Sequence, residues 1–421
     1  MDIEEEEPPK SKWDLRRNLA GFWLLGLCDY FPYVVMLSAA KEILRDSDNP
    51  DNLQPANVTG LNDTEEMQLR CNSVGTGAVL LADIIPVLFI KTTGAFFLKK
   101  VPYYCRVLAV VAFGAASFLT VALSSTVWVS LLGVVFASIS EGLGEVTFFQ
   151  MTVYFDQNVV SAFSSGTGAA GFLGALTYAG LRTAGVSARN CLFFMLVYPA
   201  IMAATYFLLL VKPPELSGPC SKLNRYDKLI QSSDENNSDR SSTVESISNY
   251  SLKEKITLVK PLLKYMVPLG LVYFLEYFIN QGLYEVLYFN DIWLTTDEQY
   301  EWYQMDYQLG VFLSRSSVNL IHINKIWVFP ILQGINLGVL AANAVYRFIP
   351  SIWIILTLMF WEGLLGGATF VNTFYRIRTE VREEHREFSM GVVTLADAVG
   401  IFIAGAAALP LHTYLCNMYT G

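Results

Sequence analysis

The sequence predicts an all-α integral membrane protein with about eleven transmembrane helices, arranged as six followed by five. Hydrophobic residues make up 53% of the 421-residue chain and charged residues only 16%, whereas a soluble globular protein carries about 25% charged residues. The mean hydropathy of +0.38 indicates a lipid-facing exterior. This composition argues against soluble enzyme folds, and the sequence has no basic patch that would favour binding to nucleic acid.

The individual helices follow from a hydropathy scan. A bilayer core about 30 Å thick requires roughly 20 mostly apolar residues per helix, and a window of that length finds eleven segments. The acidic start of the chain lacks the features of a signal peptide, so the first segment is expected to remain as a true span. The predicted bounds are 18–41, 73–98, 106–124, 127–154, 162–182, 191–211, 261–289, 303–321, 326–346, 350–375 and 389–415.

The distribution of basic residues predicts the orientation. With the N-terminus in the cytosol, 20 Lys and Arg residues fall in cytosolic segments and 5 in luminal ones, as the positive-inside rule requires. An odd number of spans then places the C-terminus in the lumen. The predicted organisation is a cytosolic acidic tail 1–17, a membrane half 18–211, a disordered cytosolic linker 212–258, a second membrane half 259–416 and a luminal tail 417–421.

Glycosylation sequons agree with this orientation. Asn57 and Asn62 begin two sequons in the loop 42–72, which the charge distribution assigns to the lumen, where glycans are added. We therefore expect both to be glycosylated. Asn236 and Asn249 also begin sequons, but they lie in the predicted cytosolic linker and are expected to be unmodified.

An internal repeat relates the two membrane halves. The string EGLGEVTF at 141–148 matches EGLLGGATF at 362–370, and FSSG at 163–166 matches FSMG at 388–391. The separations of 221 and 225 positions agree on one repeat length. Because each repeat unit holds an even number of spans, the halves are parallel and relate by an axis along the membrane normal. This is the major-facilitator arrangement, here with the twelfth span missing.

Long strings of the membrane portion, among them GVVFASISEGLGEVTF, YFLEYFINQGL and WEGLLGGATFVNTF, resemble the battenin family of lysosomal membrane proteins. The resemblance implies a major-facilitator-like fold, residence in late endosomes and lysosomes, and a role in exporting glycerophosphodiesters, the small anionic products of phospholipid breakdown. It also suggests trafficking adaptors as partners of the linker, although Leu229-Ile230 matches the family's sorting signal only weakly. The matching strings include GFWLLGLCDYFPYVVMLSAA, GVVFASISEGLGEVTF, SSGTGAAG, YFLEYFINQGL, WYQMDYQLGVFLSRSS, WEGLLGGATFVNTF and EHREF.

Charged residues inside spans are costly in lipid, so each is a candidate for function. Arg315 is predicted to be the most deeply placed cation, and a phosphodiester anion suits its planar guanidinium group. Gln304 and Gln308 precede it at helical spacing, on one face that leads to the cation. The alternative is that Arg315 pairs with a structural acid. The other charged candidates are Asp29, Asp83, Glu141, Glu145, Lys264, Glu276, Glu285, Asp306, Glu362 and Asp397.

The seventh span carries a second set of candidates. Glu276 is followed at helical spacing by Asn280 and its neighbour Gln281, a group that could bind a polar head group or, through the carboxylate, carry a proton. Glu145 and Glu362, in the repeat-related spans, could carry protons in the same way. These residues predict export that is coupled to protons or gated by luminal pH.

Glycines and cysteines give weaker indications. Gly166 to Gly171 fits the GxGxxG pattern of nucleotide-binding folds, but its position inside a span favours close helix packing. The glycines of the fourth and tenth spans are expected to loosen those helices. Cys71 and Cys416 both fall on the predicted luminal side, in strings that match the family, and could pair as a disulfide. The sequence contains no motif for a metal or a cofactor, and none is expected.

Three classes of function remain open on the sequence alone. The leading one is a secondary transporter with a central site between the two halves. The second is an integral membrane enzyme of lipid metabolism, in which Glu141 and Glu145 act as acid and base. The third is a scaffold that acts through its linker.

Overall fold

The structure is a computed structural model that describes residues 12–48, 76–98, 101–124, 126–213, 216, 252–284, 287–289, 292–294, 296–318 and 320–420. All regular elements in this part of the chain are helices. The predicted glycosylation sites Asn57 and Asn62 lie outside it, as do Cys71, Glu285 and most of the linker. Cys416 lies in the last helix, but its side chain is outside the described set.

The first half contains six helical regions, which we number α1 to α6. The sixth is broken near its middle and ends in a short π-helix, Thr205–Leu209. The regions are α1 (Lys12–Asp48), α2 (Thr76–Phe97), α3 (Tyr103–Ala122), α4 (Val127–Met151), α5 (Asn158–Thr183) and α6 (Ala188–Met195 with Val197–Ala204).

The second half contains five helical regions, α7 to α11. A 3₁₀ turn, Lys260–Leu262, joins the two parts of α7, and Thr394 separates those of α11. The regions are α7 (Leu252–Val259 with Leu263–Gly282), α8 (Thr296–Ser316), α9 (Val328–Tyr346), α10 (Ile352–Glu380) and α11 (Glu383–Val393 with Leu395–Thr420).

Helices occupy all eleven predicted positions, and the all-α membrane fold is confirmed. Nine helices of the described residues are long and apolar enough to cross a membrane. The exceptions are α2 and α8. The prediction placed the end of α7 at 289, but the helix ends at Gly282, and α8 begins at Thr296 rather than 303. A hydropathy window follows lipid contact and not backbone hydrogen bonding, so it misses the polar first turns of α8. Residues 252–258, predicted as linker, are helical for the same reason.

The packing of the helices has the two-fold relation that the repeat predicts. Within the first half, α1 packs on α5 and α2 packs on α4; within the second half, α7 packs on α11 and α8 packs on α10. Between the halves, α5 packs on α8 and α2 packs on α11. Each contact has a counterpart between the corresponding helices of the other half. The α1–α5 contact corresponds to α7–α11, the α2–α4 contact to α8–α10, and the α5–α8 contact to α2–α11.

Glycines make the closest of these crossings. A Cβ on Gly26 of α1 would overlap the backbone carbonyl of Phe163 in α5, and one on Gly166 of α5 would overlap that of Trp23 in α1. In the second half, Gly310 of α8 and Gly363 of α10 approach each other's backbones in the same way. The interpretation of Gly166 as a packing residue therefore agrees with its place in the fold.

Candidate functional site

A polar cavity of about 50 Å³ lies between the two halves. Both halves contribute to it, through α1, α2, α4 and α5 on one side and α7, α8 and α11 on the other. Aromatic hydroxyls and carboxyl groups dominate its lining, and Arg315 is the one cation among the described residues that line it. Its polar lining residues are Tyr30, Tyr33, Asp83, Glu141, Thr167, Tyr273, Tyr277, Tyr307, Gln308, Arg315 and Asp397.

Arg315 reaches across the interface between the halves from the end of α8. It is 5% exposed. One terminal nitrogen donates to the Thr167 hydroxyl in α5 at 2.5 Å, and the other donates to the Tyr273 hydroxyl in α7 at 2.8 Å. The guanidinium carbon lies 4.0 Å from the centre of the Phe370 ring. Its Nε has no hydrogen-bond partner, so the group is oriented but retains donor capacity.

Among the residues that the structure describes, no carboxylate lies within 4.0 Å of the Arg315 guanidinium. The alternative that Arg315 pairs with a structural acid finds no support within that part of the chain. A fully buried cation without a counter-ion is costly. This arrangement is typical of a site that receives an anion.

Lys91 on α2 has the opposite environment. It is 1% exposed, and its Nζ lies 2.6 Å from Glu145, 3.1 Å from Asp397 and 3.9 Å from Glu141. Glu145 also accepts a hydrogen bond of 3.0 Å from Tyr30. Because Glu141 and Glu145 belong to α4 and Asp397 to α11, this buried ionic cluster joins the first half of the protein to the second.

Lys91 and Arg315 lie on corresponding helices, α2 and α8, the second of each half. They are separated by 224 positions, within the range of 221 to 225 that the two string matches give. Each also reaches across one of the two related interfaces, α2 with α11 or α5 with α8. The two cations differ in their partners: Lys91 has three carboxylate partners, and Arg315 has hydroxyl partners.

Lys91 was not identified as a candidate from the sequence. The prediction that Arg315 is the most deeply placed cation is wrong, because Lys91 is 1% exposed and Arg315 is 5% exposed. Inspection of charged residues one by one gives no reason to rank a lysine in α2. The signal that could have found it is its separation of 224 positions from Arg315, because that separation matches the repeat length.

Glu276 of α7 lies at the edge of the site. It is 2% exposed and accepts a hydrogen bond from Tyr307, which lines the cavity. Its Oε2 has no hydrogen-bond partner. Its carboxylate occupies the space beside Gly366 of α10, where a Cβ would overlap it.

Asp29 of α1 repeats this arrangement in the first half. The strings Asp29-Tyr30-Phe31 and Glu276-Tyr277-Phe278 correspond, and Gly144 of α4 leaves space for the Asp29 carboxylate as Gly366 does for Glu276. Asp29 is fully buried, and neither of its carboxylate oxygens has a hydrogen-bond partner.

The expectation that these glycines loosen α4 and α10 is wrong, because both helices are continuous through them.

Replacement of Gly366 by alanine is expected to destabilise the protein. The added Cβ must displace the Glu276 carboxylate from a filled site, and overpacking of this kind costs about 1–3 kcal/mol. The measurement is the thermal unfolding midpoint of the purified protein in detergent. Gly338→Ala on α9 is the matched control, because no atom lies within 4 Å of the Cβ it adds. Equal midpoints for the two variants would contradict the proposed contact.

The remaining sequence candidates lie around the cavity at different distances. Gln308 lines it, whereas Gln304 donates to the Tyr300 hydroxyl at 3.3 Å and is not part of the lining. Asn280 and Gln281 are buried in α7 below 7% exposure but do not line the cavity. Glu362 is fully buried and accepts a hydrogen bond of 3.3 Å from Tyr284.

The fold and this site define a class, the all-helical, multi-pass membrane proteins with the major-facilitator fold and a polar cavity between two halves. A solved structure of the human organic anion transporter MFSD10 (TETRAN) matches it with a TM-score of 0.57 and 14% identity, covering 98% of both chains. The protein family is a narrower assignment than this fold class. A model of the CLN3 protein family matches residues 20–418, and the chain belongs to that family.

Relatives in animals and fungi agree with this assignment. Battenin of Canis lupus familiaris is 46% identical over 99% of this chain and 97% of its own length. Protein BTN1 of Yarrowia lipolytica is 35% identical over 94% of each chain. Protein BTN1 of Candida albicans is 35% identical over 96% of this chain and 95% of its own. The resemblance to the battenin family is therefore confirmed.

Proposed function

We propose that the protein is a secondary transporter that exports glycerophosphodiesters across the lysosomal and late endosomal membrane by alternating access. The observation that carries this proposal is Arg315, a buried cation in the central cavity that has no carboxylate partner in the described part of the chain. A phosphodiester anion would neutralise Arg315 as carboxylates neutralise Lys91 on the corresponding helix of the first half. The name of the structural relative MFSD10, an organic anion transporter, supports an anionic substrate.

The surrounding groups suit this role. Thr167 and Tyr273 hold two guanidinium nitrogens in place, and a charged, two-pronged donor binds phosphate oxygens well. Gln308 and the tyrosine hydroxyls of the lining offer hydrogen bonds to the glycerol hydroxyls. Glu276 accepts a hydrogen bond from the lining residue Tyr307. Asn280 and Gln281 are buried on the same helix, α7, and Gln304 lies one turn before Gln308 on α8.

Transport through this site requires the halves to move. Ligand pockets commonly measure about 300–1,000 Å³, whereas this cavity measures about 50 Å³. The cavity must therefore enlarge to hold such a substrate. Opening to either side would separate helices at the α2–α11 or the α5–α8 interface, where Lys91 and Arg315 now cross between the halves.

Flux of a radiolabelled glycerophosphodiester into liposomes that contain the purified protein tests the proposal. A transporter moves the label unchanged, an enzyme converts it to another compound, and a scaffold does neither. Within the described residues no observation favours the enzyme, since Glu141 and Glu145 both contact Lys91. Recovery of converted label, or the absence of flux above protein-free liposomes, would reject transport.

We further propose that transport is coupled to protons or gated by luminal pH. Seven acidic side chains of the described residues are buried at 5% exposure or less, against three buried basic ones. An uncompensated carboxylate is strongly disfavoured in a low-dielectric interior, so this imbalance supports proton uptake by some of the seven. The candidates are Glu145, Glu276 and Glu362, and Glu276 ranks first because its hydrogen-bond donor Tyr307 lines the cavity.

Carboxamide replacement of these three residues tests the coupling. We expect Glu276→Gln to remove the dependence of flux on luminal pH between about pH 5 and 7, because an amide cannot take up the proton. Glu145→Gln and Glu362→Gln are measured beside it. Glu383→Gln is the control, since its side chain is 91% exposed. Unchanged pH profiles for all three variants would reject coupling through these groups.

The orientation and the remaining partners belong to the same proposal. The N-terminus faces the cytosol and the C-terminus the lumen, with glycans on Asn57 and Asn62. Trafficking adaptors bind the linker 212–258, and Cys71 pairs with Cys416. The bilayer is the remaining partner, and no cofactor or nucleic acid takes part.

A further inference from the structure

A groove of about 410 Å³ opens on the surface of the second half, away from the central cavity. It lies where the start of α7, the α8–α9 connection and the end of α10 meet. Because helix ends of opposite direction meet there, the groove lies at one boundary of the membrane. We call it the basic groove. Its rim carries Lys264, Lys325 and Arg376, and its wall includes Tyr265, Trp327 and Ile331.

The rim of the basic groove carries an excess of positive charge. Glu380 lies 3.6 Å from the Lys264 Nζ and 2.6 Å from the Arg376 Nε. Arg376 also donates to the Asn324 carbonyl. In the described part of the chain Glu380 is the one carboxylate that pairs with these cations, so two of the three charges remain uncompensated. The Lys264 side chain is 61% exposed, so it can contact an external anion in addition to Glu380.

The wall of the groove is apolar and open. Trp327, the residue before α9, is 50% exposed, and Ile331 of α9 is 63% exposed. Tryptophan is enriched where the headgroup region meets the hydrocarbon core. An apolar wall directly beside a cationic rim matches an amphiphile with an anionic head.

We propose that the basic groove binds an anionic phospholipid of the surrounding leaflet. Its phosphate lies against Lys264 and Lys325, and its acyl chain runs along Trp327 and Ile331. Basic pockets between transmembrane helices are known to bind anionic headgroups, and a phospholipid is the amphiphile present at this depth. The charge distribution of the loops places the groove on the predicted cytosolic side. This lipid site is separate from the central cavity and does not depend on the proposed transport.

Binding of defined lipids to the purified full-length protein tests this inference. Native mass spectrometry and the thermal unfolding midpoint are recorded in detergent with added phosphatidylglycerol, phosphatidylcholine or inorganic phosphate. We expect phosphatidylglycerol to bind and to raise the midpoint, and the other two to have no effect. In the double variant K264A/K325A its affinity should fall roughly tenfold to thirtyfold, given the attraction that each lysine supplies near an anionic headgroup.

The control removes two exposed cations from the same predicted side of the membrane, in the double variant K253A/R382A. Arg376 is left unchanged because it holds Glu380 and Asn324 in place. Equal phosphatidylglycerol affinity in both double variants would overturn the proposal, as would equal binding of phosphatidylcholine. Binding of inorganic phosphate with the same affinity would assign the groove to a free anion. A dimer that K264A/K325A dissociates would assign it to a second copy of the chain.

Discussion

Replacing Arg315 by glutamine is expected to lower the flux of a glycerophosphodiester at least about thirtyfold. Truncation of one partner in a buried charge pair costs about 2–5 kcal/mol, and 1.4 kcal/mol corresponds to a factor of ten in binding. The protein itself should remain folded, because no described carboxylate lies within 4.0 Å of the Arg315 guanidinium and the variant breaks no ion pair.

Two further variants separate the role of the charge from that of the guanidinium geometry. Arg315→Lys keeps the charge but loses the two-pronged donor, and its flux should lie between the wild type and Arg315→Gln. Arg382→Gln is the control, since that side chain is 83% exposed and should leave flux unchanged. If Arg315→Gln transports as well as Arg382→Gln, with equal thermal midpoints, the substrate anion binds elsewhere.

The sequence predicted the helices well because lipid leaves few alternatives. A backbone that crosses the hydrocarbon core must satisfy its hydrogen bonds within the segment, so an apolar stretch of sufficient length is almost always a helix. One error lies in polar first turns, as at Thr296, where the backbone stays helical although the side chains have left the lipid. The other lies at the end of α7, where the predicted span runs to 289 but the helix ends at Gly282.

The internal repeat carried the prediction further than hydropathy did. Two short matches at 221 and 225 positions predicted a two-fold relation, and the packing of α5 on α8 and of α2 on α11 has that relation. The same repeat length identifies Lys91 once Arg315 has been singled out. Lys91 has no distinguishing feature as a single charged residue. It is indicated only by comparison of the corresponding helices α2 and α8 of the two halves.

The partners of the site residues could not have been read from the sequence. The three carboxylates around Lys91 are 50, 54 and 306 positions away in the chain, and only helix packing brings them to one point. The glycines show the same limit. Gly144 and Gly366 leave space for carboxylates on other helices, and no property of α4 or α10 alone distinguishes that role from a loosened helix.

Replacing Lys91 by methionine is expected to have the largest effect on stability of any single change among the charged residues on or beside the cavity. The substitution keeps most of the side-chain volume but leaves Glu145, Asp397 and Glu141 without their cation in a buried site. Removal of one member of a buried ionic cluster costs about 3–5 kcal/mol, a large part of the total stability of most folded proteins. The equivalent change at Arg315 should cost far less, because that cation has hydroxyl partners.

A second substitution in the cluster distinguishes lost charge balance from lost packing. Removing one carboxylate as well, in Lys91→Met with Asp397→Asn, should recover part of the thermal midpoint, because the double variant leaves fewer carboxylates uncompensated. Lys253→Met, an exposed cation at the start of α7, is the control and should melt as the wild type does. Recovery shows as a coupling free energy in the double-mutant cycle. A Lys91→Met protein as stable as the control, or a double variant with additive losses, would mean that the three contacts around Lys91 do not hold the two halves together.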